Sequence, residues 1–179
     1  MKIAIIRHVK VIFRDSVLST GKAFDEGRSL YDTLPIEAHS LKIDTSEFPR
    51  CYVSSKPRAI ETARIIYPGA FRITDKLVEV KNASFFLRRF KIPTILRKIL
   101  GRAAWFFNYH KMPETRKRSM ARAKSLIREM LAESNQNTLL ITHGFFMYCL
   151  KYELLKNGFK GKLSFPPKNA VLYLFEKID

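Results

Sequence analysis

The chain has 179 residues, 46% of them hydrophobic, which is enough for one domain with a full core and gives no sign of a second. Its net charge of +17 excludes an electrically neutral surface and favours an anionic partner: a phosphorylated substrate, a nucleic acid or an acidic membrane. The excess is local, since residues 81–128 contain 14 Lys and Arg against one acid, whereas the remainder contains 19 against 15.

The first predicted element is a strand at the start of the chain. Residues 3–6 (IAII) form an apolar run without alternation, which is typical of a strand covered on both faces. Arg7 and His8 follow directly. Because ligands of open α/β sheets bind beyond the carboxyl ends of the strands, these two side chains are expected at a binding site.

The next elements are a loop, a strand and a helix. Residues 10–45 contain several turn signals and are predicted to be irregular. A strand is predicted at 50–54, and Pro57 favours the first turn of the helix that follows. Arg58 falls in this first turn, where a guanidinium is unfavourable unless an anion neutralises both it and the helix dipole. This predicts a phosphate site, with a solvated surface arginine as the alternative.

An apolar pattern at helical spacing occupies residues 92–103 and predicts an amphipathic helix. Pro93 and Gly101 are expected to break it into short helices. Three basic residues are predicted to lie on its other faces: Arg97, Lys98 and Arg102.

The remaining pattern alternates between strands and helices. Strands are predicted at 71–74, 138–142 and 170–175, and helices from 113 to about 133 and from 145 to about 156. This alternation predicts an α/β fold: a three-layer α/β/α sandwich with a mostly parallel central sheet.

Two buried strands of this sheet end in a histidine. His143 and Gly144 follow the second of them as His8 follows the first. Arg7 and Arg58 reach the same edge if the strands are neighbours. Metal ligation is the disfavoured alternative, because neither histidine has a Cys, Asp or Glu beside it at ligand spacing. An arginine fork and a glycine that admits a backbone N–H instead predict phosphate binding.

The order of these motifs is similar to that of the histidine phosphatase superfamily, which has the phosphoglycerate mutase-like fold. The matching stretches are residues 7–8 (RH), 54–63 (SSKPRAIETA), 77–79 (LVE) and 142–144 (THG). Four motifs in register are more specific than any one of them. The resemblance implies a single domain over residues 1–179 and a reaction without a metal or other cofactor.

The resemblance also implies a two-step phosphoryl transfer from a phosphomonoester. His8 would attack phosphorus and form a phosphohistidine. Arg7, Arg58 and His143 would hold the equatorial oxygens. Glu79 would protonate the leaving oxygen and then deprotonate water. A phosphorylated small molecule is therefore the expected substrate, and inorganic phosphate the expected product.

Two positions depart from the family pattern. Val9 stands where the family usually has glycine, which leaves open whether the backbone can approach the phosphate closely. Lys10 stands where an acidic or amide residue is usual, and it adds a cation near the pocket. A catalytically silent phosphate-binding relative is therefore the nearest alternative to a phosphatase.

Residues 80–113 lie where members of this superfamily carry the segment that covers the site. The aromatic residues of this segment include Phe85, Phe86, Phe90, Trp105, Phe106 and Tyr109. It is predicted to be a lid for anionic or aromatic leaving groups, or a surface for RNA or an anionic membrane. The alternative is that the aromatic residues are core and the charges a solvated face. The residues predicted to select the substrate are Lys10, Arg88, Arg89 and Trp105.

The two cysteines bear on the compartment. Cys51 and Cys149 form no metal or disulfide pattern, which is typical of a reduced, intracellular protein. The first apolar run is too short for a signal peptide and no stretch is long enough to span a bilayer, so the cytoplasm is expected. A nucleic acid or an anionic membrane is a less favoured partner than a small molecule.

Overall fold

The computed structural model of the protein describes residues 1–37, 41, 43–82, 84 and 87–177. Phe85 and Phe86 of the predicted lid lie outside these ranges. The strands are β1 (Lys2–Arg7), β2 (Leu18–Ser19), β3 (Arg50–Ser54), β4 (Arg72–Thr74), β5 (Ile92–Pro93), β6 (Thr138–Thr142), β7 (Lys160–Gly161) and β8 (Leu172–Glu176). The helices are α1 (Gly21–Tyr31), α2 (Pro57–Ile66), α3 (Thr94–Phe106), α4 (Arg116–Glu133) and α5 (Phe146–Lys156).

Six strands form one sheet in the order β4-β3-β6-β1-β8-β7. The pairs β4–β3, β3–β6 and β6–β1 are parallel, whereas β8 is antiparallel to both of its neighbours. The prediction of a mostly parallel central sheet is confirmed. Since β1 and β6 are parallel neighbours, with Arg7 opposite Thr142, their carboxyl ends lie side by side.

Both faces of the sheet are covered by helices. Successive side chains of a strand point to opposite sides, so neighbouring residues of β1 pack against different helices. Ile3 and Ile5 pack in the core with α4 and α5, whereas Ala4 and Ile6 pack in a second core with α2. All four side chains are fully buried. This explains why the first apolar run shows no alternation, and it confirms the three-layer arrangement.

Two predictions of secondary structure were wrong. The segment 10–45 contains α1, whose first turn is capped by the Thr20 hydroxyl accepting from the N–H of Ala23 at 3.2 Å. Gly101 does not break α3, which runs through it as one helix. A Cβ at Gly101 would lie 1.8 Å from Oδ1 of Asn82, so the glycine allows the helix and residue 82 to pack closely.

The orientation of α3 also differs from the prediction. Arg97, expected away from the apolar face, is 2% exposed, whereas Ile95 and Ile99 of the apolar pattern are mostly exposed. The buried residues of this helix are Thr94, Arg97, Gly101, Ala104 and Trp105.

Among the described residues, no helix is long and apolar enough to cross a bilayer.

Candidate active site

The adjacent ends of β1 and β6 bring two histidines together. The ring centroids of His8 and His143 lie 5.0 Å apart, and both residues are buried. The backbone N–H of His8 donates to the carbonyl of Thr142 at 2.9 Å, which continues the parallel pairing by one residue. The sheet itself therefore fixes the position of the pair.

The hydrogen bonds of His8 define its tautomer. Nδ1 lies 2.5 Å from the carbonyl oxygen of Val9, which can only accept, so Nδ1 carries the proton. Nε2 accepts from Nε of Arg58 at 3.2 Å. Burial, and then the charges of Arg58 and Arg7, lower the pKa of His8 to about 3. The ring is neutral near pH 7, with a lone pair on Nε2.

His143 is anchored from the neighbouring strand. Its Nε2 lies 2.7 Å from Oγ of Ser54, the last residue of β3. Its Nδ1 is buried and has no hydrogen-bond partner among the described residues. Burial, followed by the proximity of His8 and Arg58, lowers the pKa of His143 well below its usual value. Nδ1 of the neutral His143 ring can therefore form a hydrogen bond with a bound group.

Arg58 lies in the first turn of α2, as predicted, and is 4% exposed. Its Nη1 donates to Asp32 at 2.6 Å, and Lys56 donates to the same carboxylate. Burial opposes ionisation of Asp32, but the hydrogen bonds from Lys56 and Arg58 outweigh it and lower the pKa of this carboxyl. Cζ of Arg58 also lies 4.9 Å from the ring centroid of Tyr31. A carboxylate and an aromatic ring therefore hold the guanidinium.

Arg7 packs against the glycine that follows His143. Its Nη1 donates to the carbonyl of Pro167 at 2.8 Å, and its Nε is buried without a partner among the described residues. A Cβ at Gly144 would lie 3.0 Å from Nε and 3.1 Å from Cζ of Arg7. The absence of a side chain at Gly144 therefore leaves room for this guanidinium at the site.

Glu79 lies beside the start of α5. Its Oε1 accepts from the N–H groups of Val80 at 2.9 Å and Phe146 at 3.0 Å, and its Oε2 from Phe145 at 3.1 Å. Phe145 is two residues beyond His143, so these bonds hold the carboxylate at the same edge of the sheet. The half-buried Glu79 also satisfies N–H groups that the first turn of a helix leaves unpaired.

The two departures from the family pattern have separate structural consequences. The N–H of Val9 donates to Oγ1 of Thr62 at 2.9 Å, and its side chain packs in a small apolar cluster with Val11 and Ile36. Lys10 is exposed, and its Nζ pairs with Glu37 at 2.8 Å. The backbone of Val9 thus binds α2, and the charge of Lys10 is matched by a nearby carboxylate.

The residues of the predicted lid that were expected to select the substrate lie in different surroundings. Trp105 is buried; its Nε1 donates to Oγ of Ser119 at 3.0 Å, and its ring meets that of Phe145 edge-on at 4.8 Å. Arg88 is exposed and lies 3.5 Å from a carboxylate oxygen of Asp25. Arg89 is exposed as well. The role of these residues in substrate selection stays a prediction.

The residues near the site that were not identified from the sequence include three with charged or aromatic side chains. Tyr31 and Asp32 come from the end of α1, within the segment predicted to be irregular; the Thr20 cap was the signal that could have located this helix. Arg102 is the third: its Cζ lies 3.7 Å from the ring centroid of Phe145. Burial lowers the pKa of Arg102, and the charge of Glu79 opposes this shift only in part.

Comparison with known proteins establishes the family. Residues 36–178 match the family model of the histidine phosphatase superfamily (branch 1). The chain therefore belongs to the histidine phosphatase superfamily, as its four motifs predict. A search of the curated proteins found no match to it.

Several solved structures share the fold. A candidate alpha-ribazole-5'-P phosphatase of Escherichia coli is 22% identical, with 86% of this chain and 79% of that chain covered and a TM-score of 0.54. A mycobacterial glucosyl-3-phosphoglycerate phosphatase is 17% identical, with coverages of 87% and 79% and a TM-score of 0.55. A mutant of the phosphoserine phosphatase of Entamoeba histolytica, in complex with phosphoserine, is 12% identical, with coverages of 97% and 89% and a TM-score of 0.59.

Proposed function

We propose that the protein is a metal-independent phosphatase that hydrolyses a phosphomonoester through a phosphohistidine on His8. The observation that carries this proposal is the state of the His8 ring. Its Nδ1 proton is held by the carbonyl of Val9, and burial beside Arg58 keeps Nε2 unprotonated. An unprotonated imidazole nitrogen is the form that can attack phosphorus.

Three further groups would bind the transferred phosphoryl group. Nε of Arg7 and Nδ1 of His143 are buried polar atoms without partners among the described residues, and both belong to side chains at this edge. Arg58 contributes a guanidinium that already contacts Nε2 of His8. Placed around one tetrahedral anion, these groups would offset the charge that develops on the equatorial oxygens.

Glu79 would act as the acid and then the base. Its Oε2 accepts one backbone N–H, from Phe145, and keeps a lone pair that can hold a proton. The carboxyl group would protonate the leaving oxygen in the first step and take a proton from water in the second. The backbone bonds to Glu79 would keep it in place through both.

The expected substrate is a phosphorylated small molecule. The named relatives support this class: one is a glucosyl-3-phosphoglycerate phosphatase, and another is bound to phosphoserine. We also propose that the protein acts in the cytoplasm. The two cysteines, Cys51 and Cys149, support this, because both are free thiols.

The test is hydrolysis of a generic aryl phosphate in the presence of EDTA. Wild type is expected to turn over, and His8→Asn is expected to lose the activity, whereas the exposed His110→Asn serves as the matched control and keeps it. Quenching wild type in base during turnover is expected to trap an acid-labile phosphohistidine. Undiminished hydrolysis by His8→Asn would exclude the mechanism. Vanadate binding without turnover in wild type would instead favour the silent relative.

A further inference from the structure

Helix α3 has its apolar face turned toward solvent. The exposed fraction is 65% for Ile95, 57% for Ile99 and 52% for Phe106. We call the exposed large apolar residues of this helix and its C-terminal flank the α3 face: Ile95, Leu96, Ile99, Phe106 and Phe107. An ordinary surface helix buries such a stripe and exposes its charges, so α3 is inverted.

Hydrogen bonds fix this orientation. The guanidinium of Arg97 is buried under the helix, where it donates to Ser19 O at 2.9 Å, Ser84 Oγ at 2.8 Å and Leu87 O at 3.1 Å. Burying a guanidinium is costly unless its donors are satisfied, and these partners satisfy them. Rotating α3 to hide the α3 face would break these bonds. The apolar exposure is therefore a built feature of the fold.

Basic residues flank the α3 face at both ends. Near the start of α3, Phe90 also accepts from Arg97, which holds the turn of residues 87–90 against the helix. This turn adds the exposed side chains of Leu87 and Phe90. We call the basic residues around the α3 face the basic rim: Arg88, Arg89, Lys91, Arg116 and Lys117. At the other end, Cζ of Arg116 lies 4.6 Å from the ring centroid of Phe106.

We propose that the α3 face and the basic rim together dock on an anionic lipid bilayer. Aliphatic and phenylalanine side chains partition into hydrocarbon, while arginine and lysine bind lipid phosphates at the level of the headgroups. The helix has 13 residues and a length of about 20 Å, so it lies in the interface rather than across it. This docking goes beyond the proposed phosphatase activity and does not use His8.

Other occupants fit the surface less well. A second copy of the chain would carry the same +17 charge, and two such basic rims would repel each other. Single-stranded RNA binds through bases stacked on aromatic rings. Ile95, Leu96 and Ile99 offer no ring, so the centre of the α3 face is suited to acyl chains rather than to bases.

The test is flotation of the full chain with vesicles of phosphatidylcholine alone or mixed with phosphatidylglycerol. Wild type is expected to float only with the anionic vesicles. The triple substitution Ile95→Ser, Ile99→Ser, Phe106→Ser is expected to reduce partitioning at least about tenfold, because it removes the apolar contact. Substituting Arg89→Ser or Lys91→Ser is expected to reduce it by about fivefold for each charge.

Matched controls separate this surface from general electrostatics. Lys124→Ser and Arg128→Ser remove the same charge from the exposed side of α4 and are expected to leave flotation unchanged. Since the chain has one Trp and it is buried, Phe107→Trp adds an exposed reporter whose emission is expected to shift to the blue on anionic vesicles. Circular dichroism of every variant checks that it is folded.

The outcomes that would overturn the proposal are specific. Equal loss of flotation in the charge variants of the basic rim and of α4, or full flotation of the triple variant, would show that net charge alone binds the vesicles. Binding of a homopolymeric RNA that the triple variant loses, without flotation of wild type, would assign the surface to RNA. A His8→Asn variant is expected to float like wild type, so failure of the phosphatase mechanism would leave this result intact.

Discussion

Nε of Arg58 lies 3.2 Å from Nε2 of His8, across 50 residues of chain. The guanidinium can only donate, so the contact requires the imidazole to present its lone pair. A permanent cation at this distance also disfavours protonation of the ring. The first turn of α2 therefore adds to the effect of burial and helps to keep the histidine that follows β1 neutral.

The neutral, buried His8 predicts acid destabilisation. Its pKa is about 3 in the folded protein and near 6.5 when unfolded, so between these values the unfolded chain binds more protons and the free energy of unfolding falls as the pH falls. At about pH 5 this residue alone lowers the free energy of unfolding by about 2 kcal/mol. Urea denaturation at neutral and acid pH should show a correspondingly flatter pH dependence in His8→Asn. The exposed His110→Asn should keep the wild-type slope; a loss of slope there would contradict the assignment.

Gly144→Ala should lower the activity more than it lowers the stability of the protein. The added Cβ would meet Nε and Cζ of Arg7 at 3.0 and 3.1 Å, so the guanidinium must move. A displacement of this kind in a binding group is expected to lower kcat/KM by about tenfold to a hundredfold. The control is Gly27→Ala in α1, where the nearest atom is 3.7 Å away and activity should be unchanged. Steady-state kinetics with an aryl phosphate compare the two.

Asp32→Ala should make stability depend on phosphate. The substitution removes the carboxylate from a guanidinium that is 4% exposed, which is expected to lower the free energy of unfolding by about 2 kcal/mol. Inorganic phosphate would replace the lost anion beside Arg58. Thermal denaturation with and without phosphate should therefore show a larger stabilisation of Asp32→Ala than of wild type. The exposed Asp44→Ala should respond to phosphate as wild type does, and an equal response of Asp32→Ala would argue against an anion site at Arg58.

Val9→Gly restores the residue that is usual in the family, and it should not raise the activity. The N–H of Val9 is already bonded to Thr62, and its side chain fills a buried cluster. Deleting the side chain is expected to lower the free energy of unfolding by about 2 kcal/mol and to leave kcat/KM unchanged. Chemical denaturation and kinetics of the purified variant measure both. A marked rise in kcat/KM would show that Val9 restricts the site.

The sequence by itself determined the main strands of the sheet and the positions of the motifs that follow them. The apolar runs before Arg7 and His143 are local signals, since a strand covered on both faces has little freedom in its composition. Pro57 likewise located the helix start that carries Arg58. These features depend on neighbouring residues in the chain, and the structure reproduces them.

Only the tertiary structure decided which partners surround those motifs. Asp32 contacts Arg58 across 26 residues, and Ser54 contacts His143 across 89, and no local pattern encodes such pairs. The rotation of α3 about its own axis was decided in the same way. Its periodicity indicates a helix with an apolar face. The side of that helix that is buried depends on the acceptors that meet Arg97, and one of them, the carbonyl of Ser19, lies 78 residues away along the chain.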